Sequence, residues 1–221
     1  MAYRRTERVV QRFNARREAI VDAARTLASE AGMDAVQIAQ VAARADIAAG
    51  TVYRYFPAKS DLVKALIEGV TARELNAIRR AAAAAPGPLS ALTAAIVTFS
   101  VRSQRQSRLV WAALAEPSDP EINALRIACR RMLAAEFEAR IAAAVAGANL
   151  PKQDPELAAA ALLGGLLEGL VGPLSPPAID DWKLRDHVLG LTLNLLRGIG
   201  VVDARARGLV VQAAWPRESA A

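Results

Sequence analysis

Gln37–Ser60 reads QIAQVAARADIAAGTVYRYFPAKS, and the reading of this stretch decides the fold. Two short apolar-periodic segments meet in it at a tight turn. Val41, Ala42 and Ala45 share the inward face of the first, and Ile47 and Val52 that of the second. Ala42 is small where two crossing helices come close. Asp46 falls at the turn, where a positive φ is often required, and Asp tolerates one better than most residues other than Gly. Helix, sharp turn and helix in this spacing form the helix-turn-helix pattern, whose second helix enters the major groove of DNA.

Working outward, the second helix is expected over Ala48 to Tyr55, with Pro57 stopping it. Val52 and Phe56 point inward. Ala48 and Ala49 offer methyl groups, suited to thymine methyls. Gly50 lets the backbone come close to a partner. Thr51, Tyr53 and Tyr55 carry hydroxyls that can donate to phosphate. Arg54 can pair guanine in two places or hold a phosphate instead. Lys59 opens the next helix, where its charge opposes the helix dipole, and a nearby phosphate would reverse that penalty. In this scheme Tyr53→Phe weakens every site, whereas Arg54→Ala alters preference among sites.

The run GTVYRYFPAKSDLV, Gly50 to Val63, resembles the most recognisable stretch of the TetR family of bacterial transcriptional regulators. The motif likeness covers roughly residues 15 to 67, and beyond it only the helical layout agrees. The resemblance implies an all-α fold, with a three-helix DNA-binding head and a C-terminal helical domain for effector binding and dimerisation. It implies a regulator rather than an enzyme, a repressor released from a near-palindromic operator by a small molecule. Partners are then double-stranded DNA, an effector and a second copy of the chain, in the cytoplasm, with no cofactor. Departures from the pattern are plain. The family's Thr or Ser pair is replaced by Val36 and Gln37, of which only Gln37 can reach a phosphate or base. Ala39 stands at a commonly polar position. Ala48 replaces a Ser N-cap, a loss of about 1 kcal/mol. These losses leave room for a second reading, a ligand- or protein-binding helical module with a degenerate head.

The 221 residues suffice for one or two domains with a proper core. The chain is 53% apolar and rich in Ala, a composition that favours helices. A net charge of +6 suits a nucleic-acid partner without proving one. The single cysteine, Cys129, excludes an intrachain disulfide and reads as a small buried hydrophobe. With His187 the sole histidine, no triad or histidine-based metal cluster can be assembled, and His187 reads as a surface or interface residue. No phosphate-binding loop or dinucleotide fingerprint is present. The N-terminus lacks the apolar core of a signal peptide, and the longest apolar run, Leu157 to Leu167, is too short to span a bilayer.

Before the central stretch, residues 1 to 17 carry Arg4, Arg5, Arg8, Arg12, Arg16 and Arg17 against Glu7. Either this is a frayed terminus or a basic arm laid along a groove, with Arg4 and Arg5 as candidate contacts. The first helix is expected to begin at Phe13, with Ile20, Ala24, Leu27 and Ala31 on one face, and to end at Gly32. Asp34 and Gln37 resemble a capping box. After the centre, Leu62, Val63, Leu66, Ile67 and Val70 stripe a helix running to about Ala84. Ala85-Pro86-Gly87-Pro88 is the clearest break, giving a head over 1–80 and a body over 81–221.

The body reads as further helices: Ser90 to Gln106, a short one ending before Pro117, one from Pro120 to about Ala146, one from Asp154 to about Val171, and one from Trp182 to about Arg197. Leu125, Cys129 and Met132 are expected on one face of the third. Gly164, Gly165 and Gly169 allow close helix contact on the fourth. The last two helices hold more apolar surface than one partner can cover, so Leu163, Leu166, Leu170, Leu189, Leu193 and Leu196 are dimer candidates. An effector site is implied by the resemblance, with Phe99, Trp111, Leu114, Met132 and Glu168 as candidates. Glu168 is conspicuous because a carboxylate on an apolar helix needs a partner. Residues after Arg197 look loosely held, although Leu209, Val210, Val211 and Trp215 can cover an apolar surface.

Overall fold

The computed structural model describes residues 2–176 and 180–216. Among these residues every regular element is helical. The head comprises α1 (Ala2–Ala31), a 3-10 turn (Met33–Ala35), α2 (Ile38–Arg44) and α3 (Ala49–Tyr55). A long α4 (Lys59–Ala83) leads out of it. The body follows with α5 (Pro88–Arg105), α6 (Ser107–Leu114), α7 (Pro120–Ala146), α8 (Pro155–Leu170), α9 (Asp181–Gly198) and α10 (Asp203–Gln212).

Local chemistry sets most boundaries. Asp119 and Asp154 cap α7 and α8, each carboxylate accepting from the two backbone N–H groups that follow the proline. Asp61 reaches back to the Ala58 N–H at 3.0 Å and brings negative charge to the first turn of α4. Gly32, at φ 83°, ends α1. The α2–α3 turn closes as a Schellman motif, with Ile47 N–H donating to Ala42 O at 3.0 Å and Asp46 N–H to Ala43 O at 3.3 Å. Asp46 takes φ 52° there, as the turn requires.

α4 packs along α5 and α7, α7 against α8, and α5 against α9. One apolar core therefore runs without a gap from Ile20 in the head to Val210 in α10. A smaller cluster of Val97, Val101, Leu184 and Val188 lies between α5 and α9, with Trp215 packed on it. The head meets the body through α1 and the 3-10 turn against α6, and Arg108 of α6 donates to the Glu30 carbonyl near the end of α1. Arg126 of α7 is 2% exposed and donates to Ala112 O, Glu116 O and Ser118 Oγ, tying α7 to the end of α6.

Several expectations change. α1 starts at Ala2 rather than Phe13, so the basic N-terminal segment is helix rather than a loose arm. Gln37 makes no capping box; its amide donates to Asp34 O at 2.8 Å. Cys129 is buried, but Met132 is 46% exposed, because the inward phase of α7 is Ile122, Arg126, Cys129, Leu133 and Phe137. A Cβ on Gly165 would meet Leu195 at 2.9 Å and one on Gly169 would meet Leu191 at 3.1 Å, whereas Gly164 faces open space. Leu163, Leu166, Leu170 and Leu196 sit in this chain's own core, and Leu189 and Leu193 are half-buried. The apolar surface left open on α8 belongs to Leu157, Ala160, Ala161 and Gly164. Pro177, expected to help break the chain before α9, lies outside the described residues. The tail is ordered into α10, which packs on α9 and α5.

Candidate nucleic-acid interface

α3 is too short to be stable alone and is held by what it buries. Val52 is 0% and Phe56 1% exposed, locking the inner side of α3 and its exit into the core. Arg17 of α1 lies over the Phe56 ring at 5.0 Å. The opposite side is open. Ala48, Ala49, Gly50, Tyr53 and Arg54 are exposed, and Thr51 is half-buried. Nothing within the chain lies within 4 Å of a Cβ placed on Gly50, so no internal contact demands glycine there. Lys59 is exposed at the first residue of α4, next to the α3 exit. Ala48 caps α3 without a side-chain hydrogen bond.

Tyr55 stands apart from the other expected contacts. It is half-buried, its ring 4.6 Å from that of Phe13 at an interplanar angle of 33°. Its first task is thus to fasten α1 to α3. The Arg54 guanidinium lies 5.5 Å from the same ring, turned back toward α1. Between the two helices opens a cleft lined by Val9, Arg12, Phe13, Arg16, Arg54 and Tyr55. This continuity between α1 and α3 was missed from sequence, although the arginines at every fourth position from Arg4 to Arg16 carried the signal. Arg4 and Arg5 lie on α1, with side chains outside the described part. Gln37 is exposed at the α2 N-cap but engaged by Asp34 O. Val36 is fully buried, which gives that position an apolar job.

In the body, Phe99 and Leu114 are fully buried, and Phe99 meets Phe137 edge-on at 6.4 Å. Trp111 is half-buried on α6. Met132 and Glu168 are not brought to them. Glu168 is exposed and accepts from Leu174 N–H at 3.0 Å, so its partner is its own helix end. His187 is half-buried and its Nε2 lies 3.0 Å from Gly169 O, joining α9 to α8. Burial pushes the Cys129 thiol pKa up, against a hydrogen bond with Thr71. Among the described residues no three metal-ligating side chains converge, and no helix is long and apolar enough to cross a membrane.

Comparison with known proteins follows the same division. Residues 20–66 match the family model of the bacterial regulatory proteins of the tetR family. The HTH-type transcriptional repressor KstR of Rhodococcus jostii is 39% identical over 99 residues, 44% of this chain and 45% of that protein. KstR of Mycobacterium tuberculosis is 37% identical over 97 residues, 44% of each chain. These matches span less than half the length of those relatives. Among solved structures, RolR with its ligand resorcinol aligns with a TM-score of 0.65 at 23% identity, covering 95% of this chain and all of that one. FadR of Bacillus subtilis with stearoyl-CoA aligns with a TM-score of 0.68 at 17% identity, covering 84% of this chain and 98% of that one. At such identities the likeness establishes the fold.

Proposed function

Residues 20–66 are a tetR-family DNA-binding domain, and from that premise we propose that the chain is a transcriptional repressor that leaves a near-palindromic operator when a small molecule binds its body. The observation that carries the reading is the two-sidedness of α3. It buries Val52 and Phe56 and turns Ala49, Gly50, Tyr53 and Arg54 outward, with Lys59 beside its exit. A short helix so exposed needs a partner to account for its open side. Thr51, Tyr53 and Lys59 fit phosphate, and the small face at Ala49 and Gly50 fits a groove wall. The head is taken as 1–80 and the regulatory body as 81–221, with α4 belonging structurally to both.

A dimer suits the open face of α8, where Leu157 is 68% exposed and Ala160, Ala161 and Gly164 leave room for a closely packed second copy. Two heads on a two-fold axis then meet successive major grooves. The effector needs only to prefer the arrangement that fits DNA poorly. RolR and FadR each hold a small molecule in this fold. No reaction is assigned, and the work is done on DNA in the bacterial cytoplasm.

The test is selection of bound fragments from random and genomic DNA by the purified chain, followed by a salt titration on the winner. Enrichment of a near-palindrome with steep salt dependence is expected. A folded, dimeric protein that enriches nothing would point to the degenerate-head reading, which the uncapped α3 and the buried Val36 favour.

A further inference from the structure

The first half of α1 has no structural duty that explains its length. From Arg8 to Ala19 every residue is exposed, and the core begins only at Ile20. The Phe13–Tyr55 stack holds this segment against the end of α3. Along it Arg8, Arg12 and Arg16 recur every fourth residue, and so share one face of the helix. Like charges at that spacing repel and weaken a helix. None of the three forms an ion pair among the described residues, so nothing within them relieves the repulsion. Arg12 and Arg16 also line the same cleft as Arg54 of the recognition helix.

We propose that this arginine ridge is a second DNA-binding surface, in which Arg12, Arg16 and Arg54 clamp one backbone phosphate in the α1–α3 cleft and Arg8 tracks the next ones outward. The proposal rests on the DNA-binding reading above and extends it beyond the recognition helix. The stretch from Arg8 to Arg16 rises about 12 Å along the helix, the axial length of roughly three to four nucleotides of one strand. Val9 and Phe13 give the cleft an apolar wall suited to deoxyribose beside the charge. The clamp makes Arg54 a positioning contact. Phosphate contacts set register without reading sequence, so the ridge adds affinity and footprint and leaves site preference alone.

The test uses the full chain and the operator found by selection. The variant Arg8→Ala, Arg12→Ala, Arg16→Ala is compared with the wild type across a salt series and by hydroxyl-radical footprinting. Alanine favours helix, so α1 is not undermined. Removing one phosphate-neutralising arginine lowers the log–log salt slope by about 0.9, so three per protomer lower it by about five in a dimer. Protection is expected to shrink at the outer flanks, with the ranking of sites in a library unchanged. The matching triple lysine variant keeps the charge and is expected to keep a slope within about one unit of wild type. An alanine variant that binds with the wild-type slope overturns the ridge. A changed site ranking overturns the phosphate assignment. If the wild type itself enriches no DNA, the repressor reading falls before any substitution is made.

Discussion

In the body, Arg102 meets the buried Glu74 at 2.8 Å, Arg79 and Arg140 share Glu136, and Arg126 is enclosed by carbonyls. At the outer edge of the head, Arg8, Arg12, Arg16 and Arg54 are exposed and meet no carboxylate among the described residues. The same residue type serves opposite ends in the two regions. A guanidinium taken out of water must be matched by protein acceptors, or the fold loses several kcal/mol. One left in water costs little alone, but a row of them raises a local positive potential that only an external anion satisfies. Paired cations therefore mark what holds this molecule together, and unpaired clustered ones mark where it meets something else.

That contrast breaks most readily in the body. Phe137→Ala removes a fully buried ring packed on Phe99 and is expected to cost about 3–5 kcal/mol, read by chemical denaturation. A loss under about 1 kcal/mol would mean that the α5–α7 core is looser than its burial implies. Arg126→Ala strands the acceptors at Ala112, Glu116 and Ser118 and is expected to cost about 3 kcal/mol. A variant as stable as wild type would show that paired arginines here are not structural.

Tyr53→Phe tests the other side of the comparison. It should leave the melting temperature unchanged, since Tyr53 is 51% exposed, and weaken DNA binding by about 1 kcal/mol at every site. A drop in melting temperature would place the hydroxyl in the fold instead. The smallest effects are those of pH. Burial pushes the Asp22 and Glu136 carboxyls up, but Arg73 and Arg25 at the first, and Arg79 and Arg140 at the second, outweigh it and hold both below the ordinary carboxylate range. Their contribution is present above the ordinary pKa and is lost as pH falls through that range toward the lower folded value. At Glu116 burial wins over Arg126, Asp34 adds to it, and the carboxyl is held above the ordinary range. Its sign is opposite, with stability lost as pH rises from the ordinary value through the raised one. Melting curves should accordingly show an acid limb that flattens in Asp22→Asn and Glu136→Gln, and a neutral-pH gain in Glu116→Gln. An unchanged acid limb in both of the first two variants would remove these pairs from the stabilising set.

The sequence disclosed the head in near-complete form because its rules are local. Asp46 had to allow a positive φ, Ala42 had to be small, and Val52 and Phe56 had to be the inward pair of a short helix; each follows from residues within a few positions. The caps at Asp119 and Asp154 and the breaks at Gly32 and Pro57 are of the same kind. The site was less legible. Tyr53, Gly50 and Lys59 stand open as expected, but Tyr55 is taken up by Phe13, a residue far away in the chain.

What sequence alone determined was thus the helical elements, their ends and the helix-turn-helix, since turn chemistry and the inner phase of a short amphipathic segment are written in neighbouring residues. Only the tertiary structure decided which sides of the long helices are inside. α7 and α8 are apolar nearly all round, so their patterns carry little phase, and packing against α4, α5 and α9 buried Leu163 and Leu166 while leaving Met132 and Leu157 outside. The fate of charged residues was decided in the same way. Arg126 and Arg12 are alike in sequence, and only the approach of distant acceptors to one, and of none to the other, separates a strut from a surface contact.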